Sequence, residues 1–276
     1  MAAILSAERY DPAELLALGE KSLPAQAAAV KGREQADGWG AAFYSAAGGL
    51  RTVKSGGSVS AEKARFARAV DKSGSGLALA HIRQASNPLG LSRKKLLGAA
   101  NAQPFGGNGF VFAHNGTLEI PAEIRTTLGK YEKFVKGAND SEVLFWQIMK
   151  LLDAYGDPAL ALEMAIEEAK TVWLSVKDRY PGKDAPFHGL NIFLSDGRAL
   201  WVLCHHSAGP KKEALMTPGW EFGRIAWRKD AKKVIFSSEP LDGGPWRKMS
   251  DLQIAEARLG GGAVTLKFKD LKRGYK

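Results

Sequence analysis

The chain has 276 residues, 45% of them hydrophobic, with 39 Lys and Arg against 29 Asp and Glu and a single cysteine, Cys204. This length and apolar content can bury a substantial core, and because glycine and proline form no linker-like tract we expect one domain over residues 1–276. The lone cysteine excludes an internal disulfide, and the lack of a signal segment or of an apolar run near the ~20 residues of a membrane span predicts a cytoplasmic protein. The basic residues are dispersed, which favours a solvated surface over a nucleic-acid site.

The first half of the chain predicts strands joined by hairpins and short helices. Apolar and alternating runs predict strands at residues 2–6, 38–45, 50–54, 77–82 and 110–113. Helices are expected at residues 13–18, near Gln26 and at residues 61–70, the last capped by Ser60. A polar, basic connection follows at residues 84–102. A loop of this length inside a compact domain is more often functional than inert.

The second half predicts two adjacent helices followed by further strands. An amphipathic helix opens at Asp140, and another helix is expected at residues 159–176. Strands are expected at residues 190–194, 200–204, 223–227, 233–237 and 263–268. Because helices do not alternate one for one with strands, the pattern favours an α+β fold of layered antiparallel sheets over a doubly wound sheet.

Four short polar segments stand out because each adjoins a predicted strand end or helix start. They are DGWG at residues 37–40, HIR at residues 81–83, HNG at residues 114–116 and NDSE at residues 139–142. Taken singly, each has an ordinary explanation as a turn, a surface charge, a hairpin or a helix cap. Their functional meaning therefore depends on their order and spacing.

That order resembles the class II glutamine amidotransferases, in particular stand-alone members of this N-terminal nucleophile hydrolase group. The resemblance covers nearly the whole chain and leaves no room for an appended synthase domain. It is carried by the start of the chain, DGWG, HIRQAS at residues 81–86, NAQPF at residues 101–105, and NG at residues 115–116, together with DSE at residues 140–142 and SEP at residues 238–240 before Trp246. It implies a four-layer αββα sandwich in which two stacked antiparallel sheets lie between helical layers.

The resemblance also implies roles for individual residues. Arg83, assisted by Ser86, is expected to bind the α-carboxylate of glutamine, and Asp140 its α-ammonium group, because a guanidinium and an opposing carboxylate match the two charged ends of an amino acid. The side-chain N–H of Asn115 and the backbone N–H of Gly116 are expected to form the oxyanion hole. The basic connection occupies the position of the family's glutamine loop, which closes over substrate.

The same resemblance identifies a departure at the nucleophile. The family places a cysteine at the position of Ala2, which becomes the first residue once Met1 is removed, and uses its α-amino group as the base. A methyl group cannot attack, and losing the nucleophile of an acyl-transfer site costs on the order of a millionfold in rate. The chain as written is therefore expected to be inactive as a hydrolase.

Two explanations of Ala2 remain open. One is a deliberate cysteine-to-alanine change. We favour it because Arg83 and Asp140, which we call the charge clamp, and the oxyanion residues are all present. The other is a natural, non-hydrolytic glutamine-binding or regulatory subunit that acts with a partner enzyme. The expected ligand is glutamine or another γ-glutamyl amide, a separate ammonia-accepting synthase subunit is a candidate partner, and no metal or cofactor is expected.

Other reactive side chains are given structural roles. Cys204 lies in an apolar predicted strand, where a buried thiol is usually inert. His205 and His206 are adjacent, and side chains of adjacent strand residues point to opposite faces, so a shared metal ion is not expected. His81 and His114 are expected to pack beside the site without catalysing the reaction.

Overall fold

The structure, a computed structural model, describes residues 1–32, 34–45, 48–71, 76–206 and 213–271. Within these residues the strands are β1 (Ala2–Ser6), β2 (Trp39–Tyr44), β3 (Leu50–Ser55), β4 (Gly76–Ile82), β5 (Phe105–Gly107), β6 (Phe110–Leu118), β7 (Phe187–Ser195), β8 (Ala199–Cys204), β9 (Ala226–Lys229), β10 (Lys233–Ser237), β11 (Arg247–Lys248), β12 (Gln253–Gly260) and β13 (Ala263–Asp270). The helices are α1 (Leu23–Ala28), α2 (Lys63–Asp71), α3 (Arg93–Leu96), α4 (Pro121–Thr126), α5 (Asp140–Tyr155) and α6 (Pro158–Val176). Short helical segments that are not α-helix lie at Glu14–Leu18, Ala99–Asn101, Gly129–Phe134 and Lys177–Arg179.

The strands form two antiparallel sheets. A seven-stranded sheet has the order β11-β9-β10-β1-β4-β2-β3, and a six-stranded sheet has the order β13-β12-β8-β7-β6-β5. The first strand is central in its sheet, because β1 pairs with both β4 and β10. The start of the chain is therefore held on both sides.

The two sheets pack face to face between layers of helix. Along β1, alternate side chains point to opposite faces: Ala3 and Leu5 join the core between the sheets, whereas Ala2 and Ile4 join the core under the helices. The latter core contains residues of α1 and α2, and the outer face of the six-stranded sheet is covered by α5 and α6. The predicted αββα sandwich of α+β class is confirmed.

Local boundaries differ from the prediction where turn geometry intervenes. The strand expected at residues 223–227 begins only at Ala226, because Gly223 has a φ of 81° and the N–H of Arg224 donates to the carbonyl of Glu221 in a turn. Helix α2 begins at Lys63, so Ser60 does not cap it as predicted. Over the described ranges, none of the helices is long and apolar enough to cross a membrane.

Candidate active site

Four segments meet at one end of the sandwich around the side chain of Asn115. Its Oδ1 lies 3.0 Å from Nε2 of His81, at the end of β4. Its Nδ2 donates to Oγ of Ser238, just after β10, over 2.8 Å. The same Ser238 Oγ lies 3.1 Å from the α-amino nitrogen of Met1, whose pKa is lowered to about 5 by burial. Asn115 is thus the hub of a network that joins both sheets.

Arg83 carries a buried guanidinium one residue beyond β4. Its Nη1 donates to the carbonyl oxygen of Leu96 over 2.7 Å, whereas its buried Nη2 finds no acceptor among the described residues. Burial lowers the pKa of Arg83, and the carboxylates of Asp140 and Asp37 oppose that effect. Since an arginine remains charged in proteins, this side chain presents a charged N–H that requires an acceptor.

Asp140 is held in place by contacts from two other segments. Its Oδ1 accepts from Oγ of Ser86 over 2.7 Å, and its Oδ2 accepts from the backbone N–H of Leu118 over 2.8 Å. The helix cap itself is Asn139, whose side chain accepts from the N–H of Ser141. The interpretation of Asp140 as an ordinary cap is therefore wrong. Its carboxylate instead interacts electrostatically with Arg83, whose Nη2 makes no hydrogen bond to it.

Gly116 stands beside Asn115 on β6 in a conformation that only glycine tolerates. Its φ is 146°, and a Cβ at this position would overlap the carbonyl oxygen of Gly189 on the neighbouring strand. The pairing of β6 with β7 shifts register directly after Gly116. Asn115 is half-buried and Gly116 is exposed, so the two predicted oxyanion donors lie next to each other at the surface.

Asp37 anchors the connection formed by residues 84–102. Its Oδ2 accepts from the N–H of Ala85 over 2.9 Å, and its Oδ1 accepts from Nη2 of Arg93 over 2.6 Å. Its backbone N–H donates to the carbonyl of Arg83, whose own N–H donates to the carbonyl of Gly38. The DGWG motif thus supports the backbone of the predicted substrate-binding arginine.

Ala2 is not brought to Asn115. Its methyl group is fully buried among the side chains under the helices, whereas Met1 faces the core between the sheets. Strand alternation explains the difference, because Ala2 is paired on both sides, with Ala80 and Ser237, and cannot turn. With Met1 in place, residue 2 therefore faces the helices and residue 1 faces the core between the sheets, and the role expected of residue 2 after removal of Met1 stays a prediction.

The predictions for the remaining reactive side chains were partly correct. Cys204 is buried, as predicted, and burial raises the pKa of its thiol to about 12. The argument that the two adjacent histidines diverge is wrong: because β8 ends at Cys204, Nδ1 of His205 and of His206 lie 3.1 and 3.3 Å from the same oxygen of Asp251. In the part of the chain that the structure describes, no group of three or more His, Cys, Asp or Glu is arranged to hold a metal ion.

The sequence did not identify the contacts that three residues make at this site. Ser238 and Asp37 belonged to motifs that carried the resemblance, but nothing in their local pattern showed that one contacts Asn115 and the other Arg93. His81 was expected to pack beside the site or to support its residues, and it contacts Asn115 directly. All of these contacts join residues far apart in sequence.

Comparisons with known proteins show the family and the fold. The family model of class II glutamine amidotransferases matches residues 22–270, and the chain belongs to this family of enzymes. A glutamine aminotransferase class-II domain protein from Silicibacter pomeroyi has a similar structure, with a TM-score of 0.61 and 18% identity over 98% of this chain and 99% of that one. The glutamine phosphoribosylpyrophosphate amidotransferase from B. subtilis has a TM-score of 0.59 and 13% identity, over 96% of this chain and 48% of that one. A search of curated proteins found no match.

Proposed function

We propose that the chain binds glutamine or another γ-glutamyl amide between Arg83 and Asp140, and that it lacks the nucleophile needed to hydrolyse it. The observation that carries the proposal is the buried Nη2 of Arg83, which has no acceptor among the described residues. An unpaired buried donor costs about 1–3 kcal/mol. The α-carboxylate of an amino acid would supply the missing acceptor.

The negative charge of Asp140, the other residue of the charge clamp, supports the same ligand. The carboxylate of Asp140 is buried and already accepts two hydrogen bonds, yet each oxygen has a further lone pair for an ammonium group. Ser86, which donates to that carboxylate, is half-buried and lies in the connection after β4. An α-amino acid between Arg83 and Asp140 would satisfy both charges at once.

The amide end of the ligand would extend toward Asn115 and Gly116. Asn115 has a second side-chain N–H besides the one that donates to Ser238. Together with the backbone N–H of Gly116, it would stabilise the negative charge that develops on the amide oxygen during attack. In the intact reaction a thiolate would attack the amide carbon, the C–N bond would break to release ammonia, and water would then hydrolyse the thioester to glutamate.

The start of β1 has no group that can make this attack, because neither Met1 nor Ala2 carries a nucleophile. We infer that Ala2 replaces a catalytic cysteine by a deliberate change. Removal of Met1 would make residue 2 the chain terminus, held by one peptide bond instead of two, so that its pairing with Ala80 and Ser237 would loosen. A thiol at residue 2 would then have a route toward Asn115 that the methyl of the intact chain does not have.

Restoration of the thiol tests the hydrolytic proposal. Ala2→Cys, with Met1 removal confirmed by mass spectrometry, should release glutamate and ammonia from glutamine at a rate at least a thousandfold above that of the parent chain. A second variant, Met1→Cys preceded by a cleavable residue, tests whether residue 1 is the better position. Ala3→Cys is the matched control, because Ala3 is buried in the same strand. If all three variants are equally inactive, the chain is not a glutaminase.

A non-hydrolytic glutamine-binding subunit is the second candidate. It is supported by a complete charge clamp beside a strand that lacks a nucleophile. In that case the chain would deliver no ammonia itself and would act through a partner enzyme, whereas the hydrolytic form would supply an ammonia-accepting synthase. Glutamine binding by the parent chain, combined with inactivity of every cysteine variant, would favour this candidate.

A further inference from the structure

The amide group of Asn115 can serve as an oxyanion donor only in one of its two orientations. Its NH₂ must face the cleft beside Gly116 in which the amide end of the ligand is proposed to lie, because a carbonyl oxygen there would repel the developing charge. Asn115 is half-buried, so packing alone does not choose between the two orientations. The partners of Asn115 make that choice.

His81 determines the direction of the carbonyl oxygen. Its Nε2 lies 3.0 Å from Oδ1 of Asn115, and since Oδ1 only accepts, Nε2 must carry the proton. The other ring nitrogen, Nδ1, is buried without a hydrogen-bond partner among the described residues. Moving the proton to Nδ1 would leave a buried N–H unpaired, so the structure favours the Nε2–H tautomer.

Ser238 determines the direction of the amide nitrogen. Its Oγ accepts from Nδ2 of Asn115 over 2.8 Å and lies 3.1 Å from the carbonyl oxygen of Met1, to which it can donate. The backbone N–H of Ser238 donates to the same Met1 carbonyl. Ser238 thus joins Asn115 to the start of the chain, where its Oγ also accepts from the α-amino group of Met1 over 3.1 Å.

We propose that His81 and Ser238 are positioning residues that lock the amide of Asn115 with its second N–H facing the cleft. The inference rests on the proposed function, because it assumes that Asn115 stabilises the oxyanion. A flipped amide would place its NH₂ against the N–H of His81, donor against donor. Burial also lowers the pKa of His81 well below its usual value, which keeps the ring neutral, so that His81 donates to Asn115 through Nε2.

The kinetic test compares two substitutions of His81 in the Ala2→Cys background. His81→Gln retains an N–H that can reach Oδ1 of Asn115, whereas His81→Leu fills a similar volume without a donor. Since loss of one oxyanion donor lowers kcat by about 100- to 1,000-fold, His81→Leu should lower kcat by about tenfold or more with little change in KM, and His81→Gln should recover most of that loss. Equal kcat values in the two variants would overturn the proposal.

A spectroscopic test uses the parent chain and does not depend on hydrolysis. With ¹⁵N-labelled histidine and asparagine, His81 should be the neutral Nε2–H tautomer from pH 8 to pH 5, and Ser238→Ala should shift the side-chain amide resonances of Asn115. A proton on Nδ1 of His81, or ordinary titration near pH 6.5, would overturn the proposal. If the Ala2→Cys enzyme is inactive but this tautomer is found, the hydrolytic function fails and the positioning stands.

Discussion

At the scale of single residues, the site depends on a charge that the fold leaves incompletely paired. Arg83 uses Nη1 on the carbonyl of Leu96 and keeps Nη2 without an acceptor among the described residues. Arg83→Lys should therefore weaken glutamine binding by about 10- to 100-fold, because an ammonium retains the charge but cannot make the forked contact. Calorimetry would measure the change. Arg125→Lys, at an exposed ion pair with Glu132, is the control, and equal affinity in both variants would exclude Arg83 as the carboxylate ligand.

Gly116 carries a second prediction at this scale. Gly116→Ala should lower the free energy of unfolding by about 3 kcal/mol, because the backbone conformation suits only glycine and the added Cβ overlaps the carbonyl of Gly189. Gly129 also has a positive φ, of 54°, but has open space around it, so Gly129→Ala should cost only about 1–2 kcal/mol. Urea denaturation compares the two. Similar losses would mean that the close approach of β6 and β7 is not the constraint.

At the scale of structural elements, Asn101 binds the connection of residues 84–102 to the start of α5. Its Nδ2 donates to the carbonyls of Lys95 and Leu97, and its Oδ1 accepts from the N–H of Ala138 over 2.7 Å. Asn101→Ala should lower the free energy of unfolding by about 1–3 kcal/mol and speed proteolytic cleavage within the connection. Arg93→Ala removes an ion pair whose arginine side chain is 72% exposed and should cost under about 1 kcal/mol. The reverse order of effects would assign the anchoring to the ion pair.

The sequence was a good guide to the elements and a poorer guide to contacts between them. Periodicity located β1, β4 and both long helices, since hydrophobic repeats depend on neighbours a few residues away. It could not show that Ser238 contacts Asn115, because that pair is separated by 123 residues. It also left open whether Asp140 caps the helix, since a carboxylate and the preceding asparagine are both good caps and only the tertiary contact with Leu118 distinguishes them. Family resemblance, not local pattern, indicated the candidate site.

At the scale of the whole molecule, burial of ionisable groups makes stability depend on pH. Burial lowers the pKa of His81 and of His114 below the usual 6.5, and it lowers the pKa of the Met1 α-amino group from 8.0 to about 5. Each group is neutral in the folded chain at a pH where the unfolded chain is already protonated. Because the unfolded state then binds more protons, stability falls as pH falls, by up to about 1.4 kcal/mol per pH unit for each group.

The pH at which each group begins to lower the stability is set by the pKa of that group in the unfolded chain. Between about pH 8 and 6.5 only the Met1 amine contributes, and below about pH 6.5 the two histidines add to it, so the slope of stability against pH should steepen there. Carboxylates with lowered pKa, such as Asp242, begin to contribute only near and below about pH 4.5. Urea denaturation at steps between pH 8 and pH 5 would show the change of slope. His81→Gln should remove up to about 1.4 kcal/mol per pH unit from the steeper part and leave the slope above pH 6.5 unchanged, whereas an unchanged slope below pH 6.5 would mean that His81 titrates freely in the folded chain.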